Sequence, residues 1–194
     1  MISTLSKKHK FDAVFDSQKV FRCLLEAMSH PVRTVSIKSY ADKLSGGRPA
    51  FLALAATLLD NEVGFCIREN DSLSDEITLL TLAKRVPLEA ADYIFVCDPI
   101  ELKDAIESAK CGTPADPHES ATLIVRACGK PACRLTLFGP GVDGSATLRT
   151  TQTVKDAIAL RDAQNHDYPQ GLDFIFVSDA GELFAVPRLV GEVR

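Results

Sequence analysis

The fold is decided by residues 168–188, which read Tyr-Pro-Gln-Gly-Leu-Asp-Phe-Ile-Phe-Val-Ser-Asp-Ala-Gly-Glu-Leu-Phe-Ala-Val-Pro-Arg. Two apolar runs, 172–177 and 183–186, flank a tetrapeptide that contains Gly181. Because glycine readily adopts the positive φ that a short turn needs, this pattern predicts a β-hairpin. Pro187 is expected to end the second strand, since proline cannot continue a hydrogen-bonded ladder.

The first strand of this hairpin is apolar on both of its faces. Leu172, Phe174 and Phe176 lie on one face, and Ile175 and Val177 lie on the other. A strand of this kind is typical of a sheet that is covered by helices on both sides. We therefore expect the C-terminal hairpin to complete a central sheet.

The chain ahead of the hairpin alternates helices and strands in its first half and pairs strands in its second half. Apolar periodicity predicts helices at 16–29, 50–59, 77–83, 100–109 and 153–164, and strands at 32–37, 63–67, 93–97, 121–128 and 134–138. This order predicts a three-layer α/β domain with a mixed sheet covered by helices. Asp16 is expected to cap the first helix, with Phe15 and Val20 as a hydrophobic staple.

Length, charge and cysteine usage limit the class of protein. A chain of 194 residues predicts a mobile tail at 1–10 and a single domain at 11–194. The net charge of −4 argues against nucleic-acid binding, and no apolar run approaches the length of a membrane span. The N-terminus has no apolar segment of the kind found in signal peptides, and the six cysteines are scattered, half of them within apolar runs. These features predict a cytoplasmic protein with reduced thiols.

Two short motifs have functional and structural interpretations. Gly139, Gly141 and Gly144 match the spacing of a dinucleotide-binding loop, but the segment after them does not have the pattern of an apolar helix, which favours a surface turn. Cys128 and Cys133 would need two more ligands for a zinc site, and incidental thiols beside a turn are favoured. We therefore expect neither a cofactor nor a metal.

The chain contains no self-sufficient catalytic group that we recognise. His30 follows a serine and His118 precedes Glu119 and Ser120, but neither pair stands in a nucleophile elbow. Arginines are dispersed along the chain, and some of them can converge on an anionic ligand, because guanidinium groups match phosphate and phosphonate oxygens. The ligand-binding candidates are His30, Arg33, Arg48, His118 and Arg188.

Several segments, in order and with matching spacing, resemble one family. They are the opening stretch 11–31, Ala-Thr-Leu-Leu-Asp at 56–60, Gly-Thr-Pro at 112–114 with Pro117, Glu119 and 120–123, Gly-Pro-Gly at 139–141, and the whole of 169–188. This set resembles the PhnH family, the H subunit of the bacterial carbon–phosphorus lyase core complex. One departure is that Leu-Val-Gly follows Arg188, where the family usually has two threonines.

The resemblance implies a fold like the large domain of pyridoxal-phosphate-dependent transferases, without the cofactor. It also implies a homodimer that assembles with the G, I and J subunits of the complex. That complex breaks down phosphonates after a ribose triphosphate group has been transferred from ATP to the alkylphosphonate. The resemblance carries no catalytic residue over to this chain, so whether the chain is itself an enzyme stays open.

Two functions follow from this sequence. The first is a structural or accessory subunit of the phosphonate-degrading complex. The alternative is a stand-alone enzyme or binding protein for a phosphorylated or phosphonate small molecule. Arginines that converge with His30 or His118 in one cleft would favour the alternative, whereas an exposed apolar face would favour the first function.

Overall fold

The predicted hairpin is present as two neighbouring inner strands of a larger sheet. The computed structural model describes residues 9–164 and 166–193. The α-helices there are α1 Phe15–Ser29, α2 Lys38–Ala41, α3 Pro49–Leu58, α4 Asp71–Thr81, α5 Leu102–Ser108 and α6 Gln152–Ala163. The strands are β1 Val35–Ser36, β2 Gly64–Ile67, β3 Lys84–Arg85, β4 Tyr93–Val96, β5 Thr122–Arg126, β6 Cys133–Phe138, β7 Ser145–Thr150, β8 Asp173–Val177, β9 Glu182–Val186 and β10 Gly191–Glu192. Short 3₁₀ turns occur at Leu88–Ala90, Pro99–Glu101 and Pro117–Glu119.

The large sheet has seven strands in the order β1-β9-β8-β5-β4-β2-β3. Strands β3, β2, β4, β5 and β8 are parallel to one another, whereas β9 runs antiparallel to β8 and β1 runs antiparallel to β9. The hairpin β8–β9 closes through Gly181, whose φ of +78° and close approach to the Lys38 backbone leave no room for a side chain. The prediction of a mixed sheet in an α/β fold is confirmed.

The two faces of the large sheet are covered by different layers. Ile175 and Val177 on one face pack with apolar residues of helices α1, α2, α3 and α4. Phe174 and Phe176 on the other face pack with α5, α6 and a second, three-stranded sheet in the order β10-β6-β7. The prediction that β8 is buried on both sides is confirmed.

The second sheet was not expected from the sequence. Strand β6 agrees with the strand predicted at 134–138. It does not join the large sheet, however, and pairs antiparallel with β7. No element is predicted from the sequence for strand β7, whose residues are mostly small and polar. It lies at an edge, where every second side chain faces solvent, so it needs few apolar residues.

The predicted start of the first helix is wrong in its details. Asp12, not Asp16, accepts the hydrogen bonds of the free amides of Val14 and Phe15, at 2.9 and 2.8 Å. Phe15 is 71% exposed, so it forms no staple. Asp16 is buried instead, because its carboxylate accepts the Asp12 amide and pairs with Lys43.

Two other predicted elements have different bounds. The strand predicted at 32–37 is limited to Val35–Ser36, because Ile37 already precedes helix α2. The helix predicted at 77–83 begins earlier, at Asp71, where the Asn70 side chain caps it by accepting the Leu73 amide. Residues 1–8 of the predicted mobile tail lie outside the described residues, whereas the Lys10 amide donates to the Lys43 carbonyl at 2.8 Å.

The Asp16 carboxylate makes stability depend on pH. Hydrogen bonds from the Asp12 amide and from Lys43 lower the pKa of Asp16. A lowered folded pKa contributes stability above the unfolded value of about 3.9, and this contribution is lost as pH falls toward the folded pKa. We expect Asp16→Asn to be less stable than the native chain at pH 7, with the two free energies of unfolding converging as the pH falls through the lowered folded pKa.

Urea unfolding at a series of pH values checks this expectation. Asp42→Asn is the matched control, because Asp42 forms only an exposed ion pair with Lys38, which contributes little. A stability difference between the native chain and Asp16→Asn that stays constant down to pH 2 would contradict the assigned role of Asp16.

Candidate functional site

A cleft of about 450 Å³ opens at the carboxyl edge of the large sheet. Arg126 is the last residue of β5 and Val177 is the last residue of β8, and both line the cleft. The other lining residues are Gly47, Arg48, Pro49, Ala50, Phe51, Asn70, Ser72, Leu73, Glu76, Ser178 and Asp179. Ligands of α/β proteins commonly bind outside the carboxyl ends of parallel strands, so this position is the expected one for a site.

The N-terminus of helix α3 forms one wall of the cleft. Arg48 occupies the N-cap position without a side-chain hydrogen bond, and Pro49 occupies the first turn. The first four amides of a helix have no acceptor within the helix, and Ala50 and Phe51, which belong to this first turn, line the cleft. This wall therefore places a helix N-terminus beside a guanidinium group.

Arg126 and Asp179 form a bidentate ion pair across the strand ends. Arg126 donates from Nε to Asp179 Oδ1 at 2.8 Å and from Nη2 to Oδ2 at 2.5 Å. The hydrogen bond from Arg126 lowers the pKa of Asp179, and the same bond raises the pKa of Arg126. Both groups therefore remain charged, and the carboxylate fixes the direction of the guanidinium.

Arg48 lies near the same carboxylate but is not hydrogen-bonded to it. Its Nη1 is 3.8 Å from Asp179 Oδ1, and no described residue accepts a hydrogen bond from its guanidinium. The side chain is only 27% exposed. Arg48 is thus a partly buried cation whose donors are not used by the residues that the structure describes.

Negative charge balances these cations. Asp179 and Glu76 both line the cleft with Arg48 and Arg126, so the four formal charges sum to zero. The Glu76 Oε2 atom is shielded from solvent and has no hydrogen-bond partner among the described residues. Buried carboxylate oxygens are normally hydrogen-bonded, whereas this oxygen packs over Gly46, where a Cβ would lie 2.6 Å from it.

Cys97 lies close to the arginines but is not an evident nucleophile. It follows β4 and is 6% exposed. Burial raises the pKa of the Cys97 thiol to about 11, although the positive charges of Arg48 and Arg126 oppose this effect. The thiol therefore stays protonated at neutral pH, and the thiolate is the reactive form.

The structure places the sequence-predicted candidates at separate locations. Of His30, Arg33, Arg48, His118 and Arg188, only Arg48 lines this cleft. His30 is exposed at the end of α1, where its Nδ1 lies 3.2 Å from the Glu26 carbonyl, and Arg33 forms a salt bridge with Glu26 at 2.6 Å. The convergence of an arginine with His30 or His118, which would have favoured the alternative function, does not occur in this cleft.

Arg188 lines a second cavity of about 470 Å³, but protein groups already use its donors. Its guanidinium bonds to the Asp173 carboxylate at 2.5 Å and to the Pro117 carbonyl at 2.6 Å. His118 follows Pro117 in an exposed turn. Arg188 thus joins the loop at 117 to β8, and its ligand-binding role stays a prediction.

The other predicted motifs have structural positions. The segment 139–144 joins β6 to β7 as a hairpin loop, and a Cβ on Gly141 would lie 2.6 Å from the Ser29 carbonyl oxygen. The close approach of Gly141 to the end of α1 explains the need for glycine at this position, so no role in nucleotide binding is required. Among residues 9–164 and 166–193, no three histidine, cysteine or acidic side chains lie together as a metal site.

Sequence reasoning missed the acidic partners of the arginines. Arg126 is one of the dispersed arginines, and no local sequence pattern connects it with Asp179. Asp179 lies 53 residues later, in the turn between β8 and β9. Their positions directly after two apolar runs are the available signal, because adjacent parallel strands end at the same edge of a sheet. Glu76 gives no comparable signal, since it lies within a polar helical turn.

The fold and cleft define an α/β protein whose site presents two guanidinium groups at the carboxyl edge of a mixed sheet. The model of the family described as bacterial phosphonate metabolism protein (PhnH) matches residues 9–191, and the chain belongs to this family. Its members act in phosphonate metabolism. No curated protein matches the chain. None of the described helices is long and apolar enough to cross a membrane.

Proposed function

We propose that this chain is a cytoplasmic subunit of the carbon–phosphorus lyase core complex. In this role it assists the transfer of a ribose triphosphate group from ATP to an alkylphosphonate. The observation that carries the proposal is the family match over nearly the whole chain. We propose partners that correspond to the G, I and J subunits of the complex.

An accessory role is supported by the composition of the cleft. The described lining residues include no histidine, cysteine or lysine. Ser178 Oγ accepts a hydrogen bond from the Glu182 amide, so its hydroxyl is part of the hairpin turn. Apart from Asn70 and the two arginines, the polar side chains of the lining are serines and carboxylates, and no described lining residue is a histidine or lysine that could activate a serine, which is consistent with binding rather than independent catalysis.

A partner surface is supported by exposed apolar residues of helix α1 and by Val14, the residue before it. Val14, Phe21 and Leu25 are 71%, 45% and 50% exposed. At about 100° per residue they fall within about 40° of one another on a single helical face. Exposed apolar groups arranged in one stripe are typical of protein contacts, so we propose this stripe for the homodimer or for a neighbouring subunit.

We also propose that the fold is related to the large domain of pyridoxal-phosphate-dependent transferases. The sequence resemblance supports this relation, and a seven-stranded mixed sheet between helical layers is compatible with it. The absence of lysine from the described cleft lining argues against a Schiff base with that cofactor at this site.

Co-expression with the genes of the other subunits tests the proposed assembly. We expect native mass spectrometry to show this chain in a stable hetero-oligomer that contains two copies of it. Phe21→Ser combined with Leu25→Ser is expected to weaken the assembly, whereas Leu79→Ser, at an exposed site on α4, is not. Spectra in which this chain occurs only as a monomer or homodimer, without the other subunits, would overturn the subunit proposal.

The alternative function, a stand-alone binding protein for a phosphorylated or phosphonate molecule, is favoured by one observation. Arg48 and Arg126 converge in a cleft although they are far apart in sequence. The same native mass spectra distinguish the two functions, because a stand-alone protein would bind its ligand without entering a hetero-oligomer.

A further inference from the structure

We propose that strand β7 is the surface through which two copies of this chain pair. The two β7 strands lie antiparallel, with Thr147 of one copy opposite Thr147 of the other, and join the two small sheets into one continuous sheet. This inference rests on the homodimer of the proposed function and gives it a surface, which is not the apolar stripe on α1.

Strand β7 is the one long edge strand in the part of the chain that the structure describes. It has six residues, whereas the other edge strands β1, β3 and β10 have two residues each. Strand β3 consists of Lys84 and Arg85, and charged side chains at an edge discourage pairing with another sheet. In contrast, β7 contains no proline, pairs with β6 without a bulge, and has a single charged residue, Arg149. Its edge is therefore open to another strand.

The hydrogen bonds of β6 show which backbone groups of β7 are unused. The Thr136 carbonyl accepts the Val193 amide at 2.8 Å, so the backbone of Thr136 faces β10 and not β7. Thr136 and Thr147 are thus a non-hydrogen-bonded pair, and their hydroxyl oxygens lie 2.9 Å apart. Because direction alternates along a strand, the amides and carbonyls of Ser145, Thr147 and Arg149 point to the open edge. No described group bonds to them.

A second copy, related by a two-fold axis, matches these unused groups. When Thr147 lies opposite its own copy, Ser145 lies opposite Arg149 of the second copy, and Arg149 opposite its Ser145. Each of these opposite pairs exchanges two backbone hydrogen bonds, so about six bonds form across the axis. A register shifted by two residues in either direction leaves one of the pairs outside the strands, so the register centred on Thr147 forms the most bonds.

The side chains fit the same register on both faces of the strand. On the outer face, the exposed Arg149 lies opposite Ser145 of the second copy, so the guanidinium faces a hydroxyl acceptor and not its own copy. On the inner face, Leu148 lies opposite Ala146 of the second copy. Both are only half-buried in the single chain, so pairing covers apolar surface that is still partly exposed. A large side chain opposite a small one on each face favours a second copy over an unrelated strand.

Sedimentation velocity of the isolated chain at a series of concentrations tests the pairing. We expect a monomer–dimer equilibrium whose Kd rises at least about tenfold in Thr147→Pro, because proline removes a hydrogen-bond donor from both copies. The pairing of β7 with β6 is expected to survive, since β6 does not use this amide and proline is accepted at edge strands. Thr147→Val keeps the amide and is the matched control, with an unchanged Kd. Circular dichroism checks that each variant is folded.

Two charged variants at the same position identify the occupant of the edge. Thr147→Lys and Thr147→Glu are each expected to be monomeric when alone, because like charges would face each other across the two-fold axis. An equimolar mixture of the two is expected to restore the dimer, since lysine then faces glutamate. Restoration requires that position 147 of one copy face position 147 of another, which pairing with a different protein cannot provide.

Cysteine cross-linking tests the register. Opposite residues of a hydrogen-bonded pair have Cα atoms about 5.5 Å apart, which is within the range of a disulfide. We therefore expect Thr147→Cys to give a covalent dimer on a non-reducing gel after treatment with oxidised glutathione. Ser145→Cys is the matched control, because it is exposed on the same strand but lies about 14 Å from its own copy in this register.

Several results would contradict the proposal. A native chain that is monomeric at every concentration, or a dimer that persists unchanged in folded Thr147→Pro and Thr147→Lys, would overturn it. A dimer lost in Phe21→Ser with Leu25→Ser but kept in Thr147→Pro would place the homodimer on the α1 stripe. Equal cross-linking of both cysteine variants would exclude this register. Because the isolated chain is used, a failure to form the hetero-oligomer leaves these outcomes unaffected, and the two proposals fail separately.

Discussion

Phe176→Ala is expected to lower the free energy of unfolding by about 3–5 kcal/mol. Phe176 has no exposed surface and lies in the middle of β8, between neighbouring strands on both sides. Its ring stacks on Phe184 at a centroid distance of 5.2 Å and contacts Phe174 at 5.3 Å. Truncation leaves a cavity that surrounding strands cannot close, because their positions are fixed by hydrogen-bonded neighbours.

Urea unfolding measures this loss, with Phe138→Ala as the matched control. Phe138 is also a phenylalanine on a strand, but it is 49% exposed at the end of β6. Its truncation is expected to cost less than about 1 kcal/mol. The midpoint should fall for Phe176→Ala while the slope stays constant, since the surface exposed on unfolding hardly changes. Equal losses in the two variants would mean that the predicted packing of β8 is wrong.

Arg161→Met is expected to destabilise the fold by about 3–4 kcal/mol. Arg161 is 4% exposed on α6, and its guanidinium donates to the carbonyls of Pro187 and Val190 at 3.2 and 2.5 Å. The group also lies 5.5 Å from the centre of the Phe174 ring. Methionine keeps the apolar stem but leaves the buried carbonyls without a donor, which is the costly part of the change.

Arg22→Met is the control for this substitution. Arg22 is exposed on α1, and both residue types are good helix formers, so we expect a change within about 0.5 kcal/mol. Arg161→Lys is expected to lie between the two, because an ammonium cannot reach the carbonyls as a planar fork. A stable, native-like Arg161→Met would show that water replaces the guanidinium at the carbonyls.

The sequence predicts this fold best where apolar runs are long and bounded by proline or glycine. The hairpin β8–β9 and helix α3 have such boundaries, and their positions agree with the structure to within one residue. Helix α4 begins with polar residues, so its apolar periodicity appears only after the first turn, and its predicted start is therefore too late. The Asn70 cap was the available signal.

The candidate site could be predicted only in part, because its residues are joined through space. Arg48 was singled out, and it does lie in the cleft at the carboxyl edge of the sheet. Its partners Arg126, Asp179 and Glu76 come from three other segments, and only the strand order brings these segments together. Charge balance in the cleft is a property of the fold, not of any local pattern.

The edge strand β1 has a consequence for synthesis on the ribosome. Val35 pairs with Leu183 of β9, which is translated well after β1. At 5–20 residues per second, roughly 7–30 seconds pass between the two. Throughout that interval the nascent chain carries helix α1 without the strand that it packs against in the finished molecule. The release of the final hairpin from the exit tunnel thus sets the earliest time at which helix α1 can pack on β9.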